Sequence, residues 1–284
     1  MSRNAASLLL AFALAFATAR LFAQEPYFIT YSHQMEEPGN LEVALKSVAG
    51  SPTGGNAFSG NALEFEYGMK AWWSSELYLD GQSTANESTV FTGFRLENRF
   101  RPILGEHWVN PVLYAEFEDI NSADKALLEV VGHDTRDDFL RRSDRHEKKR
   151  EAELKLILSS NFKGWNASEN LIAEKNLRGE PWEFGYALGI SRPLSLFASP
   201  HPCLWCRENF SAGAELYGGL GDRYSFGFRE TSHYLAPVLE WRVPAGATFR
   251  LSPGFGLNEN SHGLLFRFGV AYEISQIASR LKGR

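Results

Sequence analysis

Alternation of apolar and polar residues is the dominant pattern of the chain, and it is clearest in the segment GLLFRFGVAYEI, residues 263–274. Phe266 and Phe268 share one parity with other apolar residues, whereas Arg267 and Glu273 share the other parity with small residues. A period of two places these two sets on opposite faces of an extended strand. The segment therefore predicts a strand with one apolar face and one polar face.

The same alternation recurs along the chain and predicts about twelve strands of about ten residues, the length that a tilted membrane-spanning β-strand requires. A soluble extracellular β-sandwich fits the alternation as well, because its strands also carry one apolar face. Strand length, the even strand number and aromatic residues near predicted strand ends favour a barrel, because aromatic girdles mark its two membrane interfaces. These aromatic residues are Trp72, Trp73, Trp108, Trp165, Trp182 and Trp241. The predicted fold class is all-β, an antiparallel transmembrane β-barrel, with the sandwich as the alternative.

The first 23 residues have the parts of a secretory signal peptide. Arg3 supplies the positive start, and the apolar run Ala5–Ala17 is too short to cross a bilayer as a helix. Ala17-Thr18-Ala19 forms an A-x-A cleavage site, with Ala23 as the alternative. An uncleaved anchor helix is the competing interpretation, which Arg20 disfavours because it interrupts the run.

A cleaved signal peptide predicts export, and the barrel pattern then predicts a location in the cell outer membrane. The predicted divisions are a signal peptide over 1–23, a periplasmic N-terminal segment over 24–39, the β-barrel over 40–274 and a basic C-terminal tail over 275–284. Within the N-terminal segment, Tyr27, Ile29 and Tyr31 alternate with Phe28 and Thr30. This alternation fits either a short strand or a peptide lying in the barrel.

One stretch, Asn121–Arg150, interrupts the strand pattern. Its first part, SADKALLEVV, predicts a short helix capped by Ser122, and its second part is dense in charges of both signs. We therefore expect one long charged loop between two strands, and long loops in compact proteins are often functional or mobile.

The two cysteines, Cys203 and Cys206, lie in the sequence HPCLWCRE. In an oxidising compartment this spacing predicts a small local disulfide. A redox-active pair would need a strand-to-helix context of the thioredoxin kind, which the flanking prolines do not provide. A zinc site would need further ligands, and His201 is the nearest candidate for a third.

On the barrel interpretation the polar strand faces gather in the lumen, where charges of both signs pair across strands or meet water. Selectivity for a solute would then depend on these glutamates, arginines and lysines. The predicted lumen-lining residues are Glu64, Glu66, Arg95, Glu97, Arg99, Glu116, Glu118, Glu153, Lys155, Arg250 and Arg267.

The motifs G-x-S-x-G and H-E-x-x-H and the phosphate-binding glycine motifs do not occur in the sequence, and no catalytic residue, metal site or cofactor is predicted. Ser232-His233 and Ser261-His262 are adjacent pairs, whose side chains point to opposite faces of a strand. His133-Asp134 and Asp144-Arg145-His146 could bring metal ligands together, but a solvated charged loop explains them as well. A net charge of −5 predicts no nucleic-acid partner.

The signal peptide, the AQEP start of the mature chain and the closing strand LLFRFGVAYEI together resemble a Gram-negative outer-membrane β-barrel protein. More loosely, the chain is similar to the small transporter-like barrels grouped with the phenol-degradation meta-pathway outer-membrane proteins. The resemblance implies a passive channel or transporter for a small solute, with outer-membrane lipid as its surroundings. Such barrels usually end at an aromatic residue, whereas here Tyr272 is followed by the basic tail.

Two other functions stay open on the sequence alone. The first is a closed barrel without a conducting pore, which has a structural or binding role. The second is an outer-membrane hydrolase, which would need a serine, a histidine and an orienting polar group in contact. The sequence does not fix the solute or the oligomeric state.

Overall fold

The computed structural model describes residues 26–51, 56–121, 131–132, 148–201, 203–244 and 246–277. Within these residues, twelve antiparallel strands each pair with the next strand in the chain, and the last pairs with the first to close a barrel. The strands are β1 (Leu41–Gly50), β2 (Phe58–Lys70), β3 (Trp73–Thr84), β4 (Ser88–Phe100), β5 (Asn110–Asn121), β6 (Lys148–Phe162), β7 (Trp165–Asn176), β8 (Trp182–Pro193), β9 (Phe210–Asp222), β10 (His233–Arg242), β11 (Ala247–Gly256) and β12 (Leu264–Ile274). The predicted fold class, an all-β antiparallel transmembrane barrel, is confirmed.

The direction of the apolar faces distinguishes this barrel from a soluble sandwich. On β12, Leu264, Phe266 and Phe268 are 55%, 47% and 36% exposed, whereas Arg267 is 4% exposed. The apolar residues therefore line the outer surface and the charged residues line the interior, which is the arrangement of a barrel surrounded by lipid. No helix among the described residues is long and apolar enough to cross a membrane.

The first strand begins and the last strand finishes at the same end of the barrel, because Leu41 at the start of β1 pairs with Ile274 at the end of β12. We call this the terminal end, and the other the opposite end. Connections at the terminal end include the tight turns 71–72 and 163–164, but 101–109 and 194–209 are longer. The long charged loop, between β5 and β6, lies at the opposite end.

Stacked aromatic side chains surround the terminal end on the outside of the barrel. Trp72 stacks on Phe100 with ring centroids 6.4 Å apart, and Trp205 stacks on Trp241 at 4.4 Å. Trp205 belongs to the connection 194–209, in which Cys203 and Cys206 form a disulfide. This arrangement has the form of the interfacial aromatic girdle of membrane barrels.

Several sequence predictions lie outside the described residues. They are the signal peptide over 1–23, the helix predicted in SADKALLEVV except its last residue, the metal-ligand candidates His133, Asp134, Asp144 and His146, and most of the basic tail.

Candidate functional site

The lumen is the candidate functional site, and its wall carries buried charges of both signs. All of the predicted lumen-lining residues point into it: Glu64, Arg95, Glu97, Arg99, Glu116, Glu118, Glu153, Arg250 and Arg267 are buried, and Glu66 and Lys155 are half-buried. They do so because period-two alternation places each on the inner face of its strand.

Ion pairs between neighbouring strands neutralise much of this charge. The guanidinium of Arg95 on β4 contacts Asp80 on β3 at 2.9 Å and Glu116 on β5 at 3.4 Å. On β1 and β2, Lys46 and Glu64 are 2.9 Å apart. Pairing of this kind offsets the cost of burying each ion, so the wall is stable without a ligand at these positions.

Residues 27–38, which we call the luminal segment, lie inside the barrel and contribute no strand to it. Three consecutive main-chain N–H groups, those of Phe28, Ile29 and Thr30, donate to the carboxylate of Glu215 on β9 at 3.1, 2.8 and 2.7 Å. Glu215 is 1% exposed, so these bonds form away from bulk water. The structure thus selects the second of the two sequence alternatives, a peptide lying in the barrel.

Tyr31 is the residue of the luminal segment that lies in the middle of the lumen. Its N–H donates to Oδ1 of Asn170 on β7 at 2.6 Å, and Nδ2 of Asn170 donates to its carbonyl oxygen at 2.9 Å. The phenol hydroxyls of Tyr31 and Tyr78 both donate to Glu97, at 3.1 and 2.6 Å. The ring of Tyr31 also packs edge-on against Tyr114, with centroids 5.2 Å apart.

After Tyr31 the luminal segment returns to the terminal end through His33. Its Nδ1 lies 2.8 Å from Oγ of Ser159, and its Nε2 lies 3.0 Å from a carboxylate oxygen of Glu106. Burial lowers the pKa of His33, while the adjacent Glu106 carboxylate acts in the opposite direction. His33 therefore fastens the returning limb of the segment to β6 and to the connection between β4 and β5.

Glu36 marks the point at which the luminal segment leaves the lumen. Burial, followed by the nearby carboxylates of Glu66, Glu273 and Glu42, raises the pKa of Glu36 to about 8. One of its oxygens, Oε1, is buried without a hydrogen-bond partner among the described residues. Two residues later the chain passes directly over Gly68, where a side chain would collide with the carbonyl of residue 37.

Among the described residues, small spaces remain between the luminal segment and the wall. Two cavities, of about 30 and about 80 Å³, both lie against Phe28 and Tyr31 of the segment and against Lys46 and Glu64 of the wall. Spaces of this size hold a few water molecules. The lumen described here is therefore occupied, and its remaining cavities have polar groups on their walls.

An apolar cluster fills the lumen towards the opposite end. It is formed by Val48, Phe58, Val131, Ile172, Ala187, Tyr217, Tyr234, Ala236 and Leu265, with Ile29 of the luminal segment packed against it. Val131 belongs to the long charged loop, and Gly132 beside it donates its N–H to the carbonyl of Phe184 at 3.1 Å. The loop thus folds back onto the barrel at this point.

The serine and histidine pairs considered for hydrolysis do not form a nucleophile–base contact. Among the described residues, the ring of His233 contacts the hydroxyls of Tyr186 and Thr231 at 3.1 and 2.9 Å, and the hydroxyl of Ser261 bonds to the main chain of His233 and to Asn258. Among the described residues, no group of three or more histidines, cysteines and acidic residues is arranged to hold a metal ion.

A serine, a histidine and a carboxylate do meet at Ser159, His33 and Glu106, which sequence reasoning missed because the three residues are distant along the chain. Ser159 is 1% exposed, and its Oγ also contacts the hydroxyl of Ser168 at 2.8 Å. A nucleophile needs access to its substrate. The contact therefore fits an anchor for the luminal segment better than a catalytic site.

No protein-family model and no curated protein matches the chain. Solved structures are similar to it in fold. An outer-membrane channel from Pseudomonas putida F1 has a TM-score of 0.52 at 11% identity, over 88% of this chain and 100% of that one. A KdgM porin in complex with disordered oligogalacturonate has a TM-score of 0.49 at 7% identity, over 82% of this chain and 98% of that one. At these identities the likeness concerns the fold.

Proposed function

We propose that the chain is an outer-membrane channel for a small solute, closed at rest by its own luminal segment. The observation that carries the proposal is the placement of residues 27–38 inside a charged lumen. Barrels of eight strands are filled by their own side chains, whereas wider barrels leave interior space. Here a separate peptide occupies part of that space. Because this peptide forms no strand of the wall, its release from the lumen would break no pairing between wall strands.

The chemistry of the wall supports passage of a polar solute. Once the luminal segment is displaced, Glu215 and Asn170 lose their main-chain partners and offer an acceptor and an amide to water or solute. Hydrogen bonds to water replace the lost bonds and limit the net cost, which is about 1 kcal/mol for a bond between neutral groups and about 1.5–3 kcal/mol for a bond to a charged group. The open state therefore lies within reach of modest changes in condition.

Conductance of a truncated protein tests the proposal. We compare the mature full-length protein with a variant that lacks residues 24–38, both refolded in detergent and inserted into planar bilayers. We expect rare openings from the full-length protein and steady conductance from the truncated one. Heat-dependent gel mobility provides the control that both have folded as barrels.

The second candidate is a closed barrel with a binding or structural role, and the apolar cluster at the opposite end favours it. Side chains from seven strands, together with Val131, form that cluster, which the truncation leaves in place. A truncated protein that folds and inserts but conducts no more than the full-length one would refute the channel and favour the closed barrel.

A further inference from the structure

Arg267 on β12 differs from the arginines Arg95, Arg99 and Arg250, each of which contacts a carboxylate. It is 4% exposed, and its Nε and Nη2 are buried without a hydrogen-bond partner among the described residues. Its guanidinium lies over the ring of Tyr217, 5.4 Å from the centroid. An arginine keeps its charge even when buried, so an uncompensated one in the interior is costly unless an anion pairs with it.

Two further polar groups on the same part of the wall lack a partner. The hydroxyl of Tyr217 on β9 and that of Ser252 on β11 are buried, each in a residue that is 0% exposed, without a hydrogen-bond partner in the described chain. Ser252 is the cross-strand partner of Arg267, and the Tyr217 hydroxyl lies over Gly254, two residues further along β11. Each of the three side chains has a hydrogen to donate, so a ligand that only accepts hydrogen bonds would satisfy them together.

The cavity of about 80 Å³ gives this wall room for an occupant of a few heavy atoms in place of the water molecules that it can hold. Arg267 lines it, together with apolar side chains, those of Phe28 and Ile29 from the luminal segment and of Val48 and Ala62 from β1 and β2, and with polar ones that include Lys46, Arg95 and Tyr78. Tyr217 and Ser252 adjoin Arg267 but do not themselves line this cavity. The cavity is thus bordered by an unpaired cation as well as by apolar side chains. Glu64, the carboxylate on its wall, is paired with Lys46.

We infer that Arg267, with Tyr217 and Ser252, binds the carboxylate of a small monocarboxylic acid whose apolar part lies against Phe28 and Ile29. A carboxylate matches a guanidinium in charge and planar geometry and accepts hydrogen bonds from both hydroxyls. An inorganic anion would satisfy the charge but would leave the apolar walls without contact. Small monocarboxylic acids would then be the solute class of the proposed channel. The binding site itself does not depend on that function, whereas the position of the cavity on a solute route does.

Butyrate is a suitable probe, and butyramide is its uncharged counterpart of nearly equal shape. We would titrate each into detergent-solubilised full-length protein and follow binding by calorimetry. We expect saturable butyrate binding to a single site and at least tenfold weaker butyramide binding. The Arg267→Gln variant should bind butyrate at least tenfold more weakly, whereas Arg192→Gln, which removes an exposed arginine on β8, should bind like the wild type.

Arg267→Gln should also fold at least as well as the wild type, because it removes an unpaired buried charge, and without ligand its unfolding temperature should be equal or higher. Butyrate binding that persists in Arg267→Gln would overturn the inference, as would no binding at about 10 mM, a concentration that detects even weak sites. Inorganic phosphate that displaces butyrate with equal affinity would overturn the monocarboxylate class. Binding is measured without a bilayer, so the two tests are independent. A truncated barrel that conducts no current refutes the channel, whereas a failed titration refutes the carboxylate site.

Discussion

Replacing Glu215 with alanine should release the luminal segment. The glutamate carboxylate accepts three consecutive main-chain N–H groups, those of Phe28, Ile29 and Thr30, and it is 1% exposed. Alanine removes the acceptor of all three at once. The variant thus tests whether these hydrogen bonds hold the segment in the lumen.

The structure sets the expected size of the effect. A hydrogen bond to a charged group contributes about 1.5–3 kcal/mol net, and the three bonds share one carboxylate, so their contributions do not add fully. Water that enters the lumen beside the alanine takes up part of the loss. We therefore expect docking of the segment to weaken by about 3 kcal/mol, which is about a hundredfold in its equilibrium constant.

The assay is the labelling of a cysteine introduced as Thr30→Cys, a position that is 2% exposed when the segment is docked. It would be the only free thiol, because the two natural cysteines form a disulfide. We expect a water-soluble maleimide to react about a hundredfold faster after Glu215→Ala, and by an intermediate factor after Glu215→Gln, which keeps one acceptor oxygen. Glu240→Gln is the matched control, because it changes another buried glutamate, one that pairs with Arg250 of the wall and not with the luminal segment. A labelling rate within threefold of the parent in Glu215→Ala would refute the reasoning.

Two further changes act where the luminal segment leaves the lumen. Because the docked pKa of Glu36 is raised to about 8, docking is strongest below the ordinary value of 4.5 and weakens as pH rises through 8. Channel openings of the full-length protein should therefore increase between pH 5 and 9, by up to tenfold per pH unit, and Glu36→Gln should remove this dependence. Gly68→Ala would place a Cβ 2.1 Å from the carbonyl oxygen of residue 37, so it should raise Thr30→Cys labelling, whereas Gly263→Ala, with open space around it, should not.

The barrel wall could be predicted from the sequence because its information is local. On β12 and β8, every second residue is apolar, and this period alone assigns each side chain to lipid or to lumen. The alternation is least regular at β7, where Glu169 shares the outer face with Trp165 and Leu171. The structure keeps that strand, Trp165–Asn176, and leaves Glu169 exposed. One outward charge is thus tolerated because both neighbouring strands pair along nearly its whole length.

The position of the luminal segment stayed open on the sequence between a short strand and a peptide lying in the barrel, because its contacts are not local. Tyr31 bonds to Asn170, 139 residues away, and Ile29 bonds to Glu215, 186 residues away. Parity alone gave Glu215 the same inward direction as many other glutamates and could not distinguish it as the acceptor of three N–H groups. Arg267 was predicted to face the lumen, but no sequence pattern indicated that it would lack a carboxylate there.

These contacts also explain why a peptide, and not more wall side chains, closes this lumen. Glu215 and Asn170 would be buried polar groups without partners if the segment left and nothing replaced it, and that is costly. Water is the replacement, so the docked segment and a water-filled lumen are alternative ways to satisfy the same wall. The two states then differ by a few hydrogen bonds, so ionisation of Glu36 or loss of Glu215 is enough to shift the balance towards release. No carboxylate of the described residues pairs with Arg267 when the segment is docked, and release of the segment brings none to it, so we expect its demand for an anion to persist in both states.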